Sequence, residues 1–254
     1  MKKVTRLYKS LVYNFKPKID VDKNSKNFET LDEIFNHYGT DKGSKVKNQY
    51  DKNSDLVIGH GFSEYYEKHF SNFKNDNFNL LEIGTWYGAS SAAFAIYFPK
   101  AKIYGIDRNF KFRYKSNRIK FINCDLTIGK DLKKLDNILN ELKFKIIIDD
   151  GSHILTHIIK NLKIFLNKVE SNCYYVIEDF NAPKDEPHLN DGKGEEILIE
   201  ELFQNIQEKK KFKSKIMSEE DQQFLFDNIK EIHTYKGNHR VPPYFSNIAF
   251  LKKK

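Results

Sequence analysis

The sequence predicts an α/β protein: a mostly parallel sheet that ends in an antiparallel C-terminal hairpin, preceded by a helical extension. Three observations predict it. From Asn77 onward short apolar runs alternate with amphipathic segments, as in a parallel sheet covered by helices on both faces. The last two apolar runs, Ile229–Tyr235 and Ile248–Leu251, have no helical stretch between them. Before Asn77 the periodicity is helical and broken by polar stretches, which divides the chain into an extension over residues 1–76 and a main domain over 77–254.

In chain order, Phe28–Tyr38 carries apolar residues at 28, 31, 34, 35 and 38, the stripe of an amphipathic helix. The polar, glycine-containing stretch from Gly39 to Gly61 reads as loop. Ser63 caps a helix through Phe73, with Glu64 and Glu67 near its positive end. Then follow strand Phe78–Ile83, helix Ala89–Tyr97, strands Lys102–Ile106 and Ile119–Cys124, and amphipathic helix Asp131–Leu142. Strand Phe144–Ile148, helix Leu155–Val169 and strand Cys173–Ile177 complete the alternation before the closing hairpin.

Composition narrows the function classes. At 39% hydrophobic residues in clear segments the chain can bury a core, and no stretch approaches the roughly 18 apolar residues of a membrane span. Met1-Lys2-Lys3-Val4 is not followed by an apolar run, so no secretory signal is expected. Cys124 and Cys173 fall in strand-like runs and read as buried thiols, which makes the expected location cytoplasmic. The net charge of +8 suggests nucleic acid, but only five of 43 basic residues are arginine, the side chain that recognises phosphates and bases bidentately. The scattered lysines, with 24 asparagines beside them, fit a pull on small anionic ligands better.

The first strand runs into Glu82-Ile83-Gly84-Thr85-Trp86-Tyr87-Gly88-Ala89-Ser90, an E-x-G-x-x-x-G turn with a helix directly behind it. A dinucleotide site wants a glycine where Trp86 stands, so that the backbone can approach a pyrophosphate. A bulky residue there fits a ligand without one, such as S-adenosylmethionine on a Rossmann-like sheet. Asp107, 25 residues after Glu82, ends the next strand and is placed to accept from ribose hydroxyls, with Arg108 beside it. Asp125 ends the third strand, at the adenine. The expected cofactor set is therefore Glu82, Gly84, Thr85, Tyr87, Gly88, Ser90, Asp107, Arg108, Asp125 and Asp149. A plainer alternative is that the acids cap the following helices.

The fourth strand ends Asp149-Asp150-Gly151-Ser152-His153 and the fifth Ile177-Glu178-Asp179. In an open parallel sheet both turns lie at the rim that carries the cofactor loop. Left unpaired, Asp150, Glu178 and Asp179 would repel one another, and a hard divalent cation, Mg2+ before Zn2+, relieves that. Such an ion lowers the pKa of a bound hydroxyl, and His153 is placed to take the proton. Helix capping by Asp149 and Asp150, a solvated Glu178-Asp179 loop and a zinc pair of His153 and His157 are the alternatives.

These motifs resemble those of the metal-dependent class I O-methyltransferases of the macrocin and mycinamicin type, which carry D-D-G-S-H after the fourth strand and E-D after the fifth. Tyr38-Gly39-Thr40-Asp41-Lys42, His60-Gly61-Phe62 and Tyr65-Tyr66 resemble the family's segment before the core, so the likeness spans roughly residues 30–180. It implies a class I methyltransferase sheet, Asp150, Glu178 and Asp179 as metal ligands, His153 as general base, and a sugar, glycan precursor or other small polyhydroxylated acceptor. Two other readings remain: a metal-independent small-molecule N- or O-methyltransferase, and a catalytically silent nucleotide-binding scaffold. Asn181–Glu195 and Val241–Phe245 are expected to wall the acceptor pocket, the former as a mobile lid. The Lys252–Lys254 tail reads as solvated, and the amphipathic N-terminal region is compatible with a homo-oligomer.

Overall fold

The computed structural model describes residues 17–47, 56–109, 111–241 and 244–254. The readings on Met1–Val4, on the middle of the 39–61 loop and on Pro242-Pro243 lie outside them.

Strand β1 (Ile19–Asp20) precedes helix α1 (Leu31–Tyr38). Thr30 caps α1 by accepting from the Glu33 amide, and Gly39 ends it in the left-handed conformation. The predicted stripe is its buried face: Leu31, Ile34, Phe35 and Tyr38. A short antiparallel pair, β2 (Lys45–Lys47) and β3 (Leu56–Ile58), leads to α2 (Ser63–Phe70). The alternating region then runs β4 (Asn79–Ile83), α3 (Ala89–Tyr97), β5 (Lys102–Asp107), β6 (Tyr114–Lys115), β7 (Ile119–Asn123) and α4 (Gly129–Leu139). It continues with β8 (Phe144–Asp149), α5 (Leu155–Phe165), β9 (Val169–Glu178) and the one-turn α6 (Ala182–Asp185). Helices α7 (Ile199–Glu208) and α8 (Glu219–Asn228) precede the hairpin β10 (Ile229–Val241) and β11 (Tyr244–Lys253).

Seven strands form one sheet in the order β10-β11-β9-β8-β4-β5-β7. The β4–β5, β5–β7, β4–β8 and β8–β9 pairs are parallel, whereas β11 runs antiparallel to both β9 and β10. Chain order reverses between β4 and β8, so the turns that follow these two strands flank a crevice at the carboxyl edge.

Alternation along the strands sorts the core into two layers. Ile147 and Leu81 face a cluster with α4, α5, α7 and α8, through Leu135, Leu162, Leu202 and Leu225. Ile146, Ile148 and Leu80 face the opposite cluster, which holds Phe94 of α3 together with Phe35 of α1 and Tyr66 and Phe70 of α2. The N-terminal helices thus share one core with the sheet. Each such fully buried side chain contributes about 1.5–3 kcal/mol relative to exposure.

Some boundaries differ from expectation for local reasons. Helix α5 gives way to a 3-10 turn at Leu166–Lys168, and β9 starts at Val169, four residues before the predicted strand. The Asn181–Glu195 stretch carries α6 and a 3-10 turn and is anchored: the Asn181 amide donates to Phe245 O at 2.8 Å, and Asp191 accepts from Thr156. The C-terminal lysines are corrected too, because Lys252 and Lys253 belong to β11 and Lys253 Nζ donates to Val169 O at 2.8 Å. Among the described residues no helix is long and apolar enough to cross a membrane.

Candidate active site

Local backbone shape builds the first wall of the crevice. Gly84 has φ +86°, and a Cβ there would stand 1.9 Å from the Asp150 carbonyl oxygen. Only glycine lets the turn after β4 lie against the turn after β8. Trp86, His153 and Asp179, none of them glycine, also hold positive φ (48°, 56° and 52°). Such backbone costs about 1–3 kcal/mol per residue and gathers where a site constrains it. Gly88, likewise left-handed, starts α3.

Behind these turns lies a cavity of about 750 Å³, lined by Gly84, Thr85, Trp86, Tyr87, Ser90, Asp107, Arg108, Asp125 and Asp150. Its other wall comes from Gly39, Thr40, Asp41 and Val46 of the N-terminal extension, and its floor includes His157, Lys160 and Asn161 of α5. Asp107 accepts from the Trp86 amide at 2.7 Å and the Asn109 amide at 2.6 Å, so its carboxylate is fixed at the end of β5. Burial pushes its pKa up, against those two hydrogen bonds. Asp125 is held in an Asx turn by Thr127, whose amide donates at 2.9 Å and whose hydroxyl donates at 2.7 Å, and these bonds lower its pKa. Trp86 is 52% exposed at the rim.

Three residues of the expected cofactor set lie outside the cavity wall. Glu82 points under the loop, where it accepts from Ser91 at 2.5 Å. Asp149 faces the other layer, accepting from Asn161 at 3.1 Å and Tyr175 at 3.3 Å, and burial lifts its pKa to about 6. Gly88 makes room for the Phe121 ring, 2.4 Å from where its Cβ would be.

The acidic turns converge as expected, but around a residue whose role sequence reasoning missed. Lys42, fully buried, places Nζ 2.5 Å from Asp150 Oδ2, 2.8 Å from Glu178 Oε1 and 3.8 Å from Glu82 Oε1. Burial alone would depress its pKa, but Asp150, Glu178 and Glu82 raise it well above the ordinary lysine value. Glu178 is raised well above a normal carboxylate by burial and the Asp150 charge, against Lys42 and the hydrogen bond from the Tyr66 hydroxyl. Asp150 is raised by burial, opposed mainly by Lys42. The repulsion that seemed to demand a metal is therefore partly met by a side chain of the chain itself. Three carboxyl groups thus surround one ammonium, with Asp179 beside them. The only sequence signal for Lys42 was its place in the Thr40-Asp41-Lys42 motif.

Asp150, His153 and Asp179 offer one ligand atom each within 4.8 Å of one another. His153 Nε2 lies 3.7 Å from both Asp150 Oδ1 and Asp179 Oδ2. Glu178 Oε2 is buried with no hydrogen-bond partner among the described residues. An orphaned carboxylate oxygen beside two further carboxylates fits a divalent cation, and the nearby imidazole fits one that tolerates nitrogen. His157 turns away, with Nδ1 2.7 Å from the Ser152 hydroxyl.

No family model matches the chain. It is 34% identical over 128 residues to a mycinamicin VI 2''-O-methyltransferase from Micromonospora griseorubida, an alignment covering 47% of this chain and 31% of that protein. It is 32% identical over 127 residues to a demethylmacrocin O-methyltransferase from Streptomyces fradiae, covering 47% and 32%. The structure of the MycE methyltransferase of the mycinamycin pathway, in complex with Mg and SAH, superposes with a TM-score of 0.63 at 25% identity, covering 89% of this chain and 55% of that one. The chain spans only about half the length of that relative. A second MycE complex, which also holds mycinamycin VI, gives a TM-score of 0.62. The fold is the class I methyltransferase fold, and the resemblance to macrocin- and mycinamicin-type enzymes holds in both sequence and structure.

Proposed function

We propose that the chain is an S-adenosylmethionine-dependent O-methyltransferase that uses a divalent cation, Mg2+ in the first instance, to methylate a hydroxyl of a sugar, glycan precursor or similar small polyhydroxylated metabolite. One observation carries this reading: the glycine-loop cavity and the Asp150–His153–Asp179 group lie at the same sheet edge, with Asp150 in both. The mycinamicin- and macrocin-type relatives support the acceptor class.

When bound, the cofactor supplies a sulfonium methyl and the cation supplies a positive charge that lowers the pKa of an acceptor hydroxyl. The chain's own residues do the rest. Asp107, held by two backbone amides, accepts from the ribose hydroxyls, and the Gly84 turn lets the ligand approach the main chain. Asp150, Glu178 and Asp179 would hold the cation, beside the cavity that Asp150 also lines. His153 takes the acceptor proton at Nε2, and the adjacent Asp150 and Asp179 carboxylates stabilise the imidazolium that forms. Fixing the two reactants in line supplies much of the rate. A second reading makes His153 a metal ligand, favoured by its grouping with Asp150 and Asp179.

The test is calorimetric titration of S-adenosylmethionine with EDTA and then with Mg2+, followed by methyl transfer to a panel of diols and glycosides. Saturable binding and metal-dependent turnover are expected. Turnover that survives EDTA would point to the metal-independent alternative. No cofactor binding under either condition would overturn the reading in favour of a silent scaffold.

A further inference from the structure

Lys42 sits in a short strap, Gly39–Ser44, whose first three residues wall the cofactor cavity. Main-chain bonds hold the strap along its length, the His60, Gly61 and Gly59 amides donating to the Asp41, Gly43 and Ser44 carbonyls at 2.6, 3.0 and 3.0 Å. At its end, Asp32 of α1 accepts from the Ser44 amide at 2.6 Å and from the Ser63 hydroxyl at 2.8 Å, joining strap, α1 and α2. In its middle, the Phe62 amide donates to Lys42 O at 2.8 Å, while the side chain of Lys42 runs inward to Asp150 and Glu178.

A buried cluster of lysine and carboxylates is a poor device for stability, because desolvating the charges costs about as much as their attraction returns, and a wholly apolar set of similar volume often does as well. Its ammonium instead reaches the two turns proposed to hold the acceptor, while its main chain continues into the cofactor wall. We propose that Lys42 is a positioning residue that ties the cofactor wall to the acidic turns, and that it sets how much negative charge those turns keep for a cation. This rests on the proposed function above.

The role makes two opposed demands on Lys42→Met. Without its tether the strap loosens, so affinity for S-adenosylhomocysteine falls about tenfold or more. With one positive charge removed beside the carboxylates, affinity for Mn2+ rises by about tenfold. Lys42→Arg, which keeps the charge, retains the wild-type Mn2+ affinity. Because Lys42→Met leaves carboxylates without their counter-ion and could fail to fold, the same comparison is made between Glu178→Gln and the Glu178→Gln/Lys42→Met double variant.

The experiment is calorimetry with S-adenosylhomocysteine in EDTA, Mn2+ titration by electron paramagnetic resonance, and amide hydrogen exchange across residues 39–44. Weaker cofactor binding, tighter Mn2+ binding and faster exchange in the strap support the inference. If both affinities fall, Lys42 acts only through folding and the positioning role is overturned. Unchanged cofactor affinity and exchange overturn it as well. A wild-type protein that binds no S-adenosylhomocysteine overturns the reading of the cavity itself, a result distinct from wild-type binding that the variant fails to alter.

Discussion

Gly84→Ala gives the sharpest test of how the two turns make the site. The added Cβ would stand 1.9 Å from Asp150 O, 2.5 Å from its carbonyl carbon and 2.7 Å from Gly151 Cα, all main-chain atoms. Relief requires the turns to separate by about 1.5 Å to restore ordinary contact, and overpacking of this kind costs about 1–3 kcal/mol. The φ of +86° adds about 1–2 kcal/mol for any L-residue. The sum, about 2–5 kcal/mol, is a large share of the 5–15 kcal/mol that holds a typical domain. Gly194 supplies the control: its φ is +75° but nothing lies within 4 Å of its Cβ position, so Gly194→Ala carries the backbone penalty alone. Urea denaturation of both variants, with S-adenosylhomocysteine calorimetry of Gly84→Ala, measures the difference. Gly84→Ala is expected to lose at least about 1 kcal/mol more than Gly194→Ala and to bind the ligand more weakly. Equal losses with unchanged binding would refute the argument that a rigid close approach shapes the cavity.

Three further outcomes follow. Asp107→Ala should weaken S-adenosylhomocysteine binding by about 1–3 kcal/mol, because charge-assisted hydrogen bonds are lost; undiminished affinity in calorimetry would remove Asp107 from the ribose site. His153→Ala should leave that affinity intact and slow turnover about 10²–10⁴-fold; a fully active variant in a methyl-transfer assay would mean that another group takes the proton. His69, stacked on Phe250 at 4.2 Å, has its pKa lowered to about 4, first by burial and then by His233. The unfolded chain therefore binds this proton below pH 6.5 while the folded one does not, and stability falls as pH drops from 6.5 toward 4, by about 1–2 kcal/mol once solvent screening of this half-buried ring is allowed for. In denaturation across that window His69→Gln should show a correspondingly shallower fall; parallel curves would exclude the effect.

Most of the sheet was legible because its strands are buried on both faces and read as short, mostly apolar runs, nearly continuous in Phe144–Ile148 and interrupted by Asn79 and Glu82 in Phe78–Ile83. Helix Ala89–Tyr97 was legible through the glycine turn that starts it. Helices α7 and α8 were not foreseen, although Ile199, Leu202, Phe203 and Ile206 form a helical stripe and Ser218 with Asp221 makes a capping box. Charged neighbours on every side dilute that stripe. At the site, the positions of Asp107, Asp150 and Asp179 follow from strand ends, which periodicity locates. The directions of side chains do not: Glu82 and Asp149 sit at strand ends too, yet turn away from the cavity. Lys42 lies 108 residues from Asp150, and only tertiary packing brings them together.

The shared core between the N-terminal helices and the sheet has a practical consequence for anyone who divides this protein. A fragment beginning at Asn77 would present Phe94, Ile146 and Phe250 to water where Phe35 and Tyr66 now cover them, and would carry Glu82, Asp150 and Glu178 without their lysine. Such a piece exposes an apolar sheet face and leaves a local cluster of carboxyl groups without their counter-ion. The same complementarity makes the junction near residue 76 a natural place to split the gene for a fragment-reassembly reporter, in which recovered ligand binding would signal that the halves have met.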